Sequence, residues 1–414
     1  MAVKVNSILV VGFNTRPLAK SLKNANYQVY SVDFFGDLDL YPNVKDFLII
    51  TKELESNYKF LKDNYSEFLV QFTIEMLRKH NDINYLLIGS GLDDAYEGRD
   101  RILREIKEKE LSVKHVNNHL EVIKKSRDIE KIYDYLKSKG FNIPLSLSYE
   151  QYKNNSSFEF PFILKKKRSA GGINVFKIEN NKELNSLLKK LKIKGFNPSD
   201  WLIQEFIEGI PVSCTVISNG TECEIISINR QIIGEKFLNP PGDFVYCGNV
   251  VPANLLKEDY KLISEISLNL TKLLGLKGIN GFDFVLKSHY PYLMEINPRI
   301  PGSIRASEEI LDLNLLNLHI QSFDPKKWRY VKNKIRSAQT RGFATKLIFF
   351  APKEIDKELL NKINNIEFVH DKSEPINNIL KEEPVCTVLF KGKDFSESYF
   401  GAIKIIDKIK NIIY

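Results

Sequence analysis

Glu295, Asn297 and Arg299 close the segment "LMEINPRIPGSI", residues 293–304. Side chains alternate along a strand, so this spacing predicts the three on one face, with Met294, Ile296 and Pro298 on the other. A carboxylate and an amide oxygen two residues apart can hold a hard cation such as Mg²⁺ or Mn²⁺. The Arg that follows would meet whatever anion the cation carries. Asp283, in "GFDFVL", lies twelve residues before Glu295. Two strands joined by a turn around Ser288 to Pro291 would set these acids side by side, so that Asp283, Glu295 and Asn297 converge as oxygen ligands. A lone Asp or Glu usually pairs with a surface lysine. Three polar groups embedded in apolar strands need another explanation, because uncompensated buried charge is costly.

A second constellation points to an anion. Lys165 ends the apolar run 161–164, and Ala170-Gly171-Gly172 follows. A lysine fixed on a strand beside a glycine loop suits phosphates, with loop amides folding over them and the ammonium neutralising them. The GK[ST] order of a Walker loop is missing, and an exposed basic hairpin fits this segment alone equally well. "LIQEFIEG" then offers apolar positions for the wall of a flat pocket, with extended backbone to read a base edge.

Composition sets the class. The 414 residues are 43% hydrophobic and 27% charged, those of an ordinary globular protein with room for two to four domains. The net charge of +8 is spread over lysines along the chain, with no zinc finger, RNP-type aromatic pattern or basic helix, so no nucleic-acid partner is expected. Four dispersed cysteines without a CxxC, and six histidines, offer no zinc site and fit a reducing compartment. No run approaches the length of a membrane span and the first apolar run is too short for a signal peptide, so a cytoplasmic protein without membrane contact is expected.

The elements that must carry these residues are legible in outline. Apolar runs at 8–11, 29–32 and 85–88 alternate with helical periodicity, predicting a parallel, doubly wound sheet over residues 1–115. The turn after the first strand has one glycine, Gly12, followed by Phe13, Asn14, Thr15 and Arg16. That argues against a dinucleotide site with Asp33 on the ribose. Residues 126–140 read as one capped amphipathic helix stopped by Gly140. Residues 116–325 then read as strands and helices around both constellations, with a mobile lid at about 145–208. An α+β region fills 326–414.

The ordered set "PFILKKKRSAGG", "IQEFIEG", "GFDFVL" and "LMEINPR" resembles the ATP-grasp superfamily over roughly residues 1–325, with a weaker echo of biotin carboxylase beyond. "VVGFNTRPLAKSLKNANYQVYSVDFFGDLDLYP" looks most like the archaeal and methylotroph group of ATP-dependent carboligases. The resemblance implies an α/β and α+β ATP-grasp fold behind a Rossmann-like domain. It implies ATP, with Lys165 on the phosphates, Gly171 and Gly172 in the mobile loop, and Gln204, Glu205 and Ile207 around the adenine. It also implies Mg²⁺ or Mn²⁺ on Asp283, Glu295 and Asn297, and Arg299 on the transferred phosphoryl group.

The pattern departs from the family in places. Ile129 follows Asp128 where a linker-helix lysine is usual, with Lys131 nearby. Lys166 replaces a proline, and Pro211 stands where an acid often grips the ribose, leaving that task to Glu208 or Ser213.

Three activities are compatible with the resemblance. A carboxylate–amine ligase would form an acyl phosphate and release ADP and phosphate. A biotin-carboxylase-like enzyme would phosphorylate bicarbonate, but it needs a Glu four residues beyond the Arg, where Ser303 stands. A nucleotide sensor would not need Arg299. The ligase is the expectation, acting on a small carboxylate and an amine, in a chain compatible with a homo-oligomer. Arg16 and Arg305 are the residues that could hold a further anionic group, or serve as ion-pair partners.

Overall fold

The structure is a computed structural model that describes residues 5–154, 158–168, 171–375 and 378–414. Its first part alternates β1 (Ser7–Gly12), α1 (Arg16–Asn24), β2 (Gln28–Asp33), β3 (Asp46–Ile49), α2 (Ile50–Glu53), α3 (Tyr58–Lys79), β4 (Tyr85–Ile88), α4 (Tyr96–Glu108) and β5 (Lys114–His115). The strands pair in parallel in the order β3-β2-β1-β4-β5. Every residue of β1 is buried, as a parallel strand covered by helices on both faces requires. The strand order reverses between β1 and β4, where open α/β sheets leave a crevice beyond their carboxyl ends. Asp33 accepts bonds there from the Thr15 amide (2.6 Å) and hydroxyl (2.9 Å) and from the Gly36 amide (2.7 Å). It fastens the turn.

Two short helices follow, α5 (Leu120–Arg127) and α6 (Ile129–Ser138). They replace the single helix expected over 126–140. Asp128 breaks the run and its side chain accepts from the Lys131 amide as the cap of α6. Gly140 stops that helix at φ +78°.

The next elements are β6 (Ser146–Ser148), α7 (Tyr149–Asn154), β7 (Phe162–Lys166), β8 (Val175–Ile178), α8 (Asn181–Ile193) and β9 (Trp201–Glu205), forming an antiparallel sheet in the order β6-β9-β7-β8. An aromatic cluster of its own, with Phe162, Trp201 and Phe196, holds this small layer together.

The largest sheet has eight strands in the order β14-β13-β10-β11-β12-β15-β17-β16. It comprises β10 (Ile210–Asn219), β11 (Cys223–Ile233), β12 (Tyr246–Val251), β13 (Lys277–Lys287), β14 (Tyr290–Asn297), β15 (Phe343–Phe350), β16 (Val369–His370) and β17 (Pro384–Gly392). Around it lie α9 (Lys257–Leu274), α10 (Ile304–Leu311), α11 (Leu315–Ser322), α12 (Trp328–Ser337), α13 (Lys357–Asn364) and α14 (Phe395–Ile413). The strands within 343–392 thus extend the same sheet that carries Asp283 and Glu295. One continuous core joins Ile8, Leu18 and Leu22 of the first sheet's layer to Ile279, Ile304 and Leu315, which fixes the N-terminal crevice against the end of β14.

Candidate functional site

The hairpin β13–β14 builds the centre of the site. Its turn is Ser288-His289, both at positive φ (49° and 68°), the two-residue geometry whose twist suits a tight hairpin. Asp283 then falls opposite Glu295, and Gly281 opposite Asn297. The register shifts between Asp283 and Phe284, so β14 carries an extra residue at Met294. This bulge interrupts the expected alternation at Met294, which lines the cleft together with Glu295, Asn297 and Arg299, while the pairing from Glu295 to Asn297 stays regular.

Asp283 is held by the Asn297 amide (2.8 Å) and by Gln231 from β11 (3.0 Å). Burial, together with the nearby Glu295 charge, pushes its carboxyl up to about 7, against the pull of Arg299 and these two hydrogen bonds. A cation between the two carboxylates would relieve both effects. The donors are all oxygens, which suits Mg²⁺. Among the described residues no trio of His, Cys, Asp and Glu gathers to cage a metal alone. Two carboxylates and an amide are the set expected for Mg²⁺ that shares its shell with phosphates.

The loop after β4 supplies the counter-charges. Asp93 accepts from Arg299 Nε with both oxygens (2.8 and 3.0 Å), while Arg299 Nη1 donates to the Ile300 carbonyl (3.2 Å). Burial alone would lower the Arg299 pKa, but Asp93 raises it, so the guanidinium stays charged and its plane is fixed at the cleft wall.

Arg127, at the end of α5, donates to Glu295 and to both oxygens of Asp94 (3.2 and 3.0 Å). It lines the cleft and keeps its charge despite burial through these two acids. Reading one helix through 126–140 concealed it, because Arg127 then sits in the first turn like any solvated cation. The break at Asp128 is what turns it inward. Lys131 instead pairs with Asp128 (2.8 Å) and its side chain is 83% exposed. It does not enter the cleft.

The antiparallel layer β6–β9 forms the opposite wall. Lys165, Gly171, Gly172, Gln204, Glu205 and Ile207 all line one cleft of about 630 Å³ together with Asp283, Glu295, Asn297 and Arg299. Ala170 of the glycine motif lies outside the described residues. Lys165 on β7 is only partly accessible from the cleft, and burial pushes its ammonium down to about 8, with Glu295 pulling the other way. Gln204 is tied into the wall by bonds to Tyr133 (3.1 Å) and Ser146 (2.9 Å). Glu208, Pro211 and Ser213 also line the cleft. Arg16 and Arg305, by contrast, are consumed by the fold. Arg16 pairs with Asp371 (2.6 Å) and Asp39 (3.5 Å), and Arg305 with Glu308 (2.5 Å) and Glu309 (2.7 Å).

Gly172 closes the cleft by direct backbone approach. The Tyr246 amide donates to the Gly171 carbonyl (3.3 Å), and a Cβ on Gly172 would lie 1.8 Å from the Phe244 carbonyl oxygen. Among the described residues, a Cβ on Gly171 would meet nothing within 4 Å. Both have positive φ, so each Ala carries a backbone cost of about 1 kcal/mol, but only Gly172→Ala also forces the loop off. We expect Gly172→Ala to reduce turnover at least about tenfold more than Gly171→Ala, about 1.4 kcal/mol of extra barrier. Equal losses in steady-state assays would show that this contact is not what shuts the cleft.

With this geometry in view, the relatives are consistent. Residues 127–303 match the ATP-grasp domain family. The chain is 29% identical over 393 residues to an uncharacterized protein of Methanocaldococcus jannaschii, covering 92% of this chain and 88% of that one. It is also 24% identical over 171 residues to the D-alanine–D-alanine ligase of Flavobacterium psychrophilum, a match that spans 39% of this chain and 51% of that enzyme. Among solved structures, the L-amino acid ligase from Bacillus licheniformis superposes with a TM-score of 0.68 over 97% of both chains, at 15% identity. That likeness establishes the fold.

Proposed function

We propose that this protein is an ATP-dependent ligase. It activates a small carboxylate as an acyl phosphate, which an amine then attacks to give an amide, ADP and phosphate. The observation that carries this reading is the meeting, in one cleft, of Lys165 on the lid wall with Asp283, Glu295, Asn297 and Arg299 on the opposite wall. Lys165 and the Gly171-Gly172 loop would bind nucleotide phosphates, and Gln204, Glu205 and Ile207 would border the base. Asp283, Glu295 and Asn297 would hold Mg²⁺, which supplies charge neutralisation at the transferred phosphoryl group. Arg299, oriented by Asp93, faces the same group, and Arg127 adds a second fixed cation. Such catalysis is positioning plus preorganised charge. Ser303 stands at the cleft wall where a carboxylase needs a proton-accepting acid, which disfavours bicarbonate as the activated group.

The test is a phosphate-release screen of carboxylates crossed with amines, followed by product analysis. ADP should form, and ¹⁸O placed in the substrate carboxylate should appear in the released phosphate. AMP as product, or label kept wholly in amide and substrate, would overturn the mechanism. ADP release with bicarbonate alone would replace the ligase with a carboxylase.

A further inference from the structure

The two carboxylates that would hold the cation are already engaged by donors of the chain itself. Asp283 accepts from the Asn297 amide (2.8 Å) on one oxygen and from Gln231 (3.0 Å) on the other. Glu295 accepts from Arg127 Nη1. Each carboxylate is thus satisfied within the protein, and the donor on Glu295 carries a full positive charge.

Arg127 is held firmly in this place. Its side chain is 7% exposed, and Asp94 accepts from it with both oxygens (3.2 Å from Nε and 3.0 Å from Nη2). The residue closes α5, which packs against β14, so the backbone itself carries the guanidinium to Glu295. Asp94 comes from the loop after β4, so the N-terminal sheet supplies the anchor. Arg299 is not engaged in the same way, because Asp93 holds it and it makes no bond to either carboxylate of the shell.

A divalent cation that comes alone to Glu295 must break the bond to Arg127 and then stand beside a buried guanidinium of like charge. Both costs fall when a polyphosphate enters the same cleft, which Arg127 lines. Phosphate oxygens replace the acceptor that Arg127 gives up and neutralise the charge that would repel the ion. A guanidinium has several N–H donors, so one edge can turn to phosphate while Asp94 keeps the other.

We propose that Arg127 is a positioning residue that occupies Glu295 until nucleotide arrives, so that the divalent cation binds with or after the nucleotide and not before it. This rests on the metal assignment of the ligase reading. It adds that a residue outside the metal shell decides when the shell is open to an ion.

The test measures Mn²⁺ binding to the full chain by calorimetry and by loss of the free-ion electron paramagnetic resonance signal. Titrations are run without nucleotide and with saturating ADP, corrected for Mn²⁺ held by free ADP. Wild type should bind Mn²⁺ weakly without nucleotide and at least about tenfold more tightly with ADP. Without nucleotide, Arg127→Gln should bind Mn²⁺ about tenfold more tightly than wild type, because Glu295 has lost its cationic partner. Adding Glu295→Gln should abolish that gain, which locates the ion. Arg127→Lys keeps the charge but cannot bond both acids through one fork, so its gain should be smaller.

The ratio of Mn²⁺ affinities with and without ADP should fall about tenfold in Arg127→Gln. By linkage, ADP affinity with and without Mn²⁺ should show the same fall. A residue that only supports the fold would weaken both ligands and leave this ratio unchanged. Mn²⁺ affinity without nucleotide that is no higher in Arg127→Gln than in wild type overturns the proposal, as does wild type that binds Mn²⁺ equally well with and without ADP. Should Arg127→Gln fail to fold, absence of any gain in Arg127→Lys overturns it. If Mn²⁺ does not bind wild type even with ADP, the metal assignment itself falls and takes the proposal with it.

Discussion

Glu295→Gln should lower turnover by at least about a hundredfold while leaving the fold intact. The substitution keeps the volume of the side chain but removes one of the two negative charges facing the proposed cation. Its structural cost is small because Arg127, which donates to Glu295, keeps both oxygens of Asp94 at 3.0 and 3.2 Å. Asp283 gains as well. The Glu295 charge is one of the causes that push its carboxyl up to about 7, so removing that charge favours the ionised form. Melting temperature should therefore stay within a degree or two of wild type, while Mg²⁺-dependent binding of ADP weakens in calorimetry. Wild-type turnover with an unchanged melting temperature would remove Glu295 from the metal shell. A large loss of stability would mean that the Arg127–Glu295 pair is structural, and the metal assignment would then rest on Asp283→Asn.

Much of this site was legible because its chemistry follows strand periodicity. A spacing of twelve positions from Asp283 to Glu295, with turn residues between, suffices to predict a hairpin that brings them together. Lys165 was legible for the same reason, as a charge at the end of an apolar strand before glycines. The Met294 bulge was not, since an extra residue in one strand leaves the apolar pattern intact and changes only which way a side chain faces. Arg127 stayed hidden because a helix break at Asp128 looks, in sequence, like an ordinary polar position of an amphipathic helix. Asp93 and Asp94, in the loop after β4, carry no local mark of a role at the site. Their role depends on the packing of the first sheet against the end of β14, and that contact joins residues about two hundred positions apart. The single eight-stranded sheet was equally out of reach, because the pairing of β12 with β15 leaves no local mark on either strand.

Lys165→Met should move function and stability in opposite directions. Lys165 sits on β7 facing Glu295 across the cleft, and burial pushes its ammonium down to about 8 from the ordinary lysine value. Below pH 8 the folded protein holds a charge that its surroundings disfavour, and the full penalty is present. Between pH 8 and about 10.4 the unfolded chain keeps a proton that the folded chain has released, so stability rises with pH across that window. A Met of similar length removes the charge and sits on the same strand face as Ile163. The nucleotide-free variant should thus melt higher than wild type at pH 7, by on the order of 1 kcal/mol after allowing for solvent in the cleft, and the gain should fade by pH 10. ATP affinity should fall by about tenfold to a hundredfold, the usual worth of a charge-assisted hydrogen bond to phosphate, and turnover should fall with it. Lys167→Ala is the internal comparison. Lys167 also lines the cleft, but its ammonium lies 3.7 Å from Glu130, and its loss should change ATP affinity much less than the loss of Lys165 does. If Lys167→Ala matches Lys165→Met in ATP affinity, the phosphate contact belongs to the whole basic run and not to the strand lysine. If Lys165→Met melts below wild type at pH 7, the ammonium is already compensated in the nucleotide-free cleft and Glu295 is its partner.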